Sequence, residues 1–200
     1  MFKAQELGLD FDTNNQQTKQ LIDRIKQMEH EGYQFEGADA SLELLIRNAY
    51  GKLEEVFALE SFKILVAKSE TGPVSSEAIV KIRVNGQTEF NAAEGNGPVN
   101  ALDNALRKCL VKHYPGIQDM ILSDYKVRVL DEKDTTAAKV RVLIETTDFK
   151  NTWSTVGVSE NVIEASWMAL VDSFRYALLG LAPTETAPEP EKERLGLVNH

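Results

Sequence analysis

The chain has 200 residues, 42% of them hydrophobic and 26% charged, an ordinary soluble composition that can bury a core as one large domain or two small ones. Its net charge of −9 argues against a nucleic-acid or anionic-membrane partner, and no apolar run is long enough to span a bilayer or act as a signal core. A single cysteine excludes an internal disulfide and fits a reducing cytoplasm, where we expect the protein to reside.

Residues 1–13 show no clear period. Thr13 or Asn14 is placed to cap a helix running to about Glu31, with Leu21, Ile22, Ile25 and Met28 on one face and Gly32 as its stop. Asp39 caps a second helix carrying Leu42, Leu44, Leu45 and Ile46. Two short helices joined by a turn expose more apolar surface than they cover for each other, so they should dock on something else. Residues 1–55 are read as a helical linker subdomain.

From Leu59 the period becomes strand-like, with strands expected at 59–68, 77–85 and 87–94. Asn85-Gly86 between the last two marks a tight hairpin, because both central residues of a type I′ turn need positive φ. The turn Gly95-Asn96-Gly97-Pro98 then opens a helix to about His113. Its glycines give access to backbone conformations closed to other residues, and Pro98 suits a first helical position. Apolar residues at 99, 102, 105, 106, 109 and 110 form one helical face, which places Cys109 as a packed thiol. The free N–H groups of this helix start favour an anion such as a small ligand's carboxylate; equally, the turn can be a plain connector.

The order then recurs, with strands at 121–131, 138–147 and 151–157 and a helix from about Glu160 to Leu179. A shift of 64 residues superposes Thr88 on Thr152, Ala101 on Ala165, Ala105 on Ala169 and Leu106 on Leu170, which reads as an internal duplication. In the second copy Ser159-Glu160-Asn161 replaces the glycine turn, with Ser159 as N-cap. The fold class is α+β: two βββα units (about 59–114 and 120–180, within 56–181) with six largely antiparallel strands and helices on one face. Residues 182–200, rich in proline and charge, should be a disordered tail.

The residues give little catalytic chemistry. His30, His113 and His200 are isolated from one another and from other ligands at metal spacing, and no hydrolase, nucleotide-loop or zinc-protease motif occurs. Glu54-Glu55 and Asp131-Glu132 look like connector charges, and Arg107, Lys108 and Lys112 lie on a presumed outer helix face. Trp153 and Trp167 read as core or interface aromatics. Asp124 and Tyr125 next to the alternating Val127 and Val129 can hold an amino group while Leu122 and Val129 face an aliphatic side chain. The other reading is an edge tyrosine with an exposed aspartate.

Three motifs carry a family resemblance: G-N-G-P-V-x-A-L-x-x-A-L at 95–106, Asp124-Tyr125-x-Val127-x-Val129, and Thr152-Trp153-x-Thr155-x-Gly157-Val158 before a long helix. Over about 59–180 they resemble the C-terminal regulatory domain of the 2-isopropylmalate synthase and citramalate synthase family. Gly32 to Ser41 resembles the linker of the citramalate synthase branch. The resemblance implies a non-catalytic fragment that begins after a TIM barrel condensing acetyl-CoA with a 2-oxo acid. It implies no cofactor here, a divalent metal in the missing barrel, a homodimer, and end-product binding at the dimer interface, isoleucine or leucine. Carried onto this sequence, the effector carboxylate would take the N–H groups at Gly95, Asn96 and Gly97, ahead of Pro98 and Ala101, or those at Ser159, Glu160 and Asn161. Asp124 or nearby carbonyls would take the ammonium, and Leu122, Tyr125, Val129, Val99 and Val140 the side chain. A dimerisation module without ligand is the rival of a different class.

Overall fold

The computed structural model describes residues 15–130 and 138–180. The expected tail, the first residues and Asp131-Glu132 lie outside the described residues. Two helices open the fold, α1 (Gln16–Glu31) and α2 (Asp39–Ala49). Next come β1 (Ala58–Lys68), β2 (Val74–Val84), β3 (Gln87–Gly95) and α3 (Pro98–Leu110). A short 3₁₀ turn at Pro115–Asp119 leads to β4 (Ile121–Val129), β5 (Val140–Thr147), β6 (Thr152–Ser159) and α4 (Val162–Leu178). No helix among the described residues is long and apolar enough to cross a membrane.

The six strands form two separate antiparallel sheets, β1-β2-β3 and β4-β5-β6. The hairpin at Asn85-Gly86 has φ of 50° and 78°, as its turn type requires. The 64-residue shift is also a structural shift: Val80 faces Asn91 across β2 and β3, and Ile144 faces Thr155 across β5 and β6. Alternation points Ala78, Val80, Ile82 and Val84 inward under α3, and Val142, Ile144 and Thr146 inward under α4, all buried. One contiguous core joins both units. Trp167 of α4 packs on Phe62 of β1 with ring centroids 5.3 Å apart, and Trp153 is buried and bonded to Ser173, so both tryptophans are core residues. Cys109 is fully buried beneath β2, and burial pushes its thiol pKa up.

Several expectations shift. Asn15 caps α1 through its side chain, one residue beyond the expected caps; Ala38 precedes α2, so Asp39 is its first residue rather than its cap. Asn161, not Ser159, caps α4, accepting from Ile163 N at 2.8 Å. Arg107 is not an outer-face charge. Its guanidinium folds back to Asp103 (2.9 Å), donates to the carbonyls of Ile117 and Met120, and lies 5.0 Å over the Phe174 ring. The length and planar fork of an arginine let it bridge out of a helix into a neighbouring unit.

The linker helices do find a docking surface, and it is within this chain. Phe35 and Ala38, with Ile25, Met28, Leu42 and Leu45, pack on Val156, Val158 and Leu143 of the outer face of the second sheet. β6 is an edge strand, and α2 covers that edge: the Val156 N–H donates to Ser41 Oγ at 3.0 Å. Tyr176 donates to Glu43, and Arg141 donates to the Gly32 carbonyl, fixing the linker from two further sides.

Candidate functional site

At the first helix start, the two glycines serve different needs. Neither is among the positive-φ residues, contrary to the expectation from sequence. Gly95 is needed for space: a Cβ there would sit 2.3 Å from Ala101 N, so β3 runs directly under the first turn of α3. Gly97 is extended (φ −166°) and opens the helix without a side-chain cap. Asn100 Oδ1 accepts from the Asn96 N–H at 3.1 Å, and the Ala101 N–H is used by Gly97. The N–H groups of Gly97, Val99 and Asn100 donate to no protein acceptor among the described residues. They remain available to an anion.

The second helix start is satisfied by its own side chains. Asn161 N donates to Ser159 Oγ, the Ile163 and Glu164 N–H groups donate to Asn161 Oδ1, and Ser159 Oγ donates to Glu164. Glu160 is exposed beside them. With all but the Val162 N–H of its first-turn donors used among the described residues and a carboxylate in the first turn, this end offers an anion little.

Beside α4, β4 carries an exposed apolar strip. Gly157 lets α4 settle on β6: a Cβ there would meet the Ala165 carbonyl oxygen at 2.0 Å. The helix therefore rests on β5 and β6, and the inward face of β4 is left partly uncovered. Tyr125, Val127 and Val129 lie on that face, opposite Ile144, Val142 and Val140. Val127 is 45% and Val129 53% exposed, whereas Leu122 and Val140 are half-buried against the core. On its α4 side the Tyr125 hydroxyl meets Ser166 Oγ of α4 at 2.8 Å.

The structure brings Leu122, Tyr125, Val129 and Val140 together on one sheet face. It does not bring Asp124 there. Strand alternation turns Asp124 to the opposite face, where Lys126 pairs with it and holds its pKa below the usual carboxylate range. Val99, Gly95 and Gly97 stand over the other sheet, so within one chain the carboxylate-ready turn and the apolar wall belong to different units.

A concavity of about 400 Å³ lies between the linker and α4, walled by Met28, Phe35, Leu45, Phe57, Trp167 and Val171. Asp172 lines it and accepts from Ser41 Oγ at 2.7 Å. Burial pushes the Asp172 pKa up to about 6, against the opposing pull of Ser41 and the Arg175 charge. Ser41, Ser166 and Asp172 escaped the reading of the sequence. Their signal was a polar residue at a position where the helical period calls for an apolar one.

Among the described residues no group of three or more His, Cys, Asp or Glu could hold a metal ion.

Comparison with known proteins identifies the family. The family model for the LeuA allosteric (dimerisation) domain matches residues 36–178. The (R)-citramalate synthase of Aquifex aeolicus is 51% identical over 178 residues, 88% of this chain and 34% of that protein. The (R)-citramalate synthase of Geobacter sulfurreducens is 49% identical over 177 residues, again 88% and 34%. A 2-isopropylmalate synthase of Aquifex aeolicus is more distant, 31% identical over 180 residues, 88% of this chain and 31% of that protein. The chain thus spans about a third of the length of these relatives. With a match that runs from the linker through both βββα units, the chain belongs to the LeuA allosteric (dimerisation) domain family, as a regulatory domain more like those of the (R)-citramalate synthases than that of the 2-isopropylmalate synthase.

Proposed function

We propose that this chain is the effector-sensing, dimer-forming part of a citramalate synthase, and that it binds isoleucine to lower the activity of a catalytic barrel elsewhere in the parent protein. The observation that carries the reading is the exposed Val127–Val129 strip of β4 beside the Tyr125–Ser166 hydroxyl pair, an arrangement suited to a small aliphatic ligand with one polar end. The unclaimed N–H groups at Gly97, Val99 and Asn100 take the effector's carboxylate. Because these two halves lie over different sheets, the site is completed when two copies meet, which fits a dimerisation domain. The identities favour the citramalate synthase branch, hence isoleucine over leucine.

Inhibition requires the ligand to prefer one arrangement of the dimer and linker over another, since equal affinity for both shifts nothing. Couplings of this kind run to about 1–3 kcal/mol. α1 and α2 are the relay, clamped to the second unit through Ser41 and Glu43.

Calorimetric titration of the chain with isoleucine, leucine, valine and threonine tests this. Saturable binding of isoleucine in preference to the others is expected. Preference for leucine moves the assignment to the isopropylmalate branch, and no heat with any of them in a folded dimer leaves a dimerisation module without ligand.

A further inference from the structure

The two halves of the duplication differ at one polar point. In the first unit Phe62 faces Val80, and Leu102 of α3 is buried in the same core; in the second, the matching positions are Tyr125, facing Ile144, and Ser166. An apolar pair has been replaced by two hydroxyls beside the exposed strip of β4. Ser166 is fully buried, and it makes two hydrogen bonds.

The direction of those bonds is fixed by counting protons. Ser166 Oγ lies 2.6 Å from the Val162 carbonyl oxygen, which can only accept, so the single serine proton is spent there. Toward Tyr125, at 2.8 Å, Ser166 is therefore an acceptor, and the tyrosine donates its own proton to it. Tyr125 is left with lone pairs alone to offer a ligand. A ligand atom meeting that oxygen must bring an N–H or O–H; a carbonyl or carboxylate oxygen meets lone pair against lone pair.

We infer that Ser166 is the specificity-determining residue of the effector site, fixing Tyr125 as an acceptor for a ligand's ammonium and so excluding 2-oxo acids of the same carbon skeleton. The inference rests on the proposed amino-acid site. It also supplies the ammonium partner that Asp124, on the opposite sheet face, cannot be. A buried polar group left opposite the wrong partner is a strong means of rejection, stronger than any one-methyl difference in an apolar wall.

The test is the ratio of affinities for isoleucine and 3-methyl-2-oxopentanoate, measured calorimetrically on the whole chain. The wild type should favour isoleucine strongly. In Ser166→Ala the tyrosine proton is released and can turn to the keto oxygen, so the ratio should fall by roughly ten-fold, the scale of one hydrogen bond to a charged group. Ser166→Thr keeps the acceptor and should keep the ratio. Tyr125→Phe should lower the ratio as Ser166→Ala does, and the double variant should fall no further, since both act through one bond. Should Ser166→Ala fail to fold, Tyr125→Phe alone carries the test. An unchanged ratio in a folded, ligand-binding Ser166→Ala or Tyr125→Phe overturns the assignment. Absence of binding by the wild type to isoleucine and leucine alike overturns the underlying reading instead.

Discussion

Asp172 makes stability fall as pH rises through the weakly acidic range. Its folded pKa is about 6 against an ordinary value of 3.8, raised by burial between α4 and the linker. Below the unfolded pKa both states hold the proton and the contribution is constant. Between the two values the folded state holds more protons than the unfolded one, so the slope of unfolding free energy with pH is negative. Two units at 1.36 kcal/mol each give a loss of about 3 kcal/mol, complete above pH 6. Asp172→Asn removes the ionisation and keeps an oxygen to accept from Ser41. Urea unfolding at fixed protein concentration, followed by fluorescence of the buried Trp153 and Trp167, should show the stability of the variant gaining about 3 kcal/mol relative to wild type between pH 3 and pH 7. Parallel pH profiles for the two proteins would refute the argument.

Three further substitutions test the packing. Gly157→Ala places a Cβ 2.0 Å from the Ala165 carbonyl oxygen and 2.9 Å from Met168 Cβ, so α4 must lift from β6. A cost of about 1–3 kcal/mol and a Tm lowered by several degrees are expected, and an unchanged melting curve would show the contact to be slack. Arg107→Ala strips Asp103 of its ion partner, and the other oxygen of that buried carboxylate already lacks a partner among the described residues. Equilibrium unfolding should register a loss of about 3–5 kcal/mol. Ser41→Ala leaves the Val156 N–H unpaired and withdraws the donor to Asp172. It should cost about 1–3 kcal/mol, and limited proteolysis should cut within 16–49 before the sheets open.

Much of the fold was legible because it rests on local signals. Alternation in 77–84 and 140–147, the Asn85-Gly86 turn and Pro98 at a helix start are each decided within a few residues. Caps were less legible, because Ser159 and Asn161 are both good cap residues and only the geometry shows Asn161 accepting from the helix while Ser159 bonds to Glu164. Long-range polar partners were not legible. Nothing near Arg107 in sequence announces the carbonyls of Ile117 and Met120, and nothing near Ser41 announces Asp172. Asp124 was misplaced for a simpler reason: neighbours along a strand point to opposite faces, so Asp124 and Tyr125 cannot line one face.

The duplication supplies one scaffold twice, and the differences between the copies explain why they play different parts. On the outer faces, Leu143, Val156 and Val158 of the second sheet correspond to Ile79, Ala92 and Glu94 of the first. Only the second set is apolar enough to hold α1 and α2, and there Val156 and Val158 are 1% and 8% exposed, while Ile79 is 36% exposed. Within the units, the first keeps an uncapped glycine turn but has Phe62 and Leu102 at the matching positions, whereas the second has the Tyr125–Ser166 pair but has spent three of its helix-start donors on Ser159 and Asn161. In the proposed site each copy supplies one of the two polar ends that a zwitterionic effector requires. A ligand that needs both must join a first unit to a second unit, and the unit that supplies the tyrosine is also the one to which the linker is fastened. Under the proposed function, binding would act where the linker is fastened, through Ser41 and Glu43.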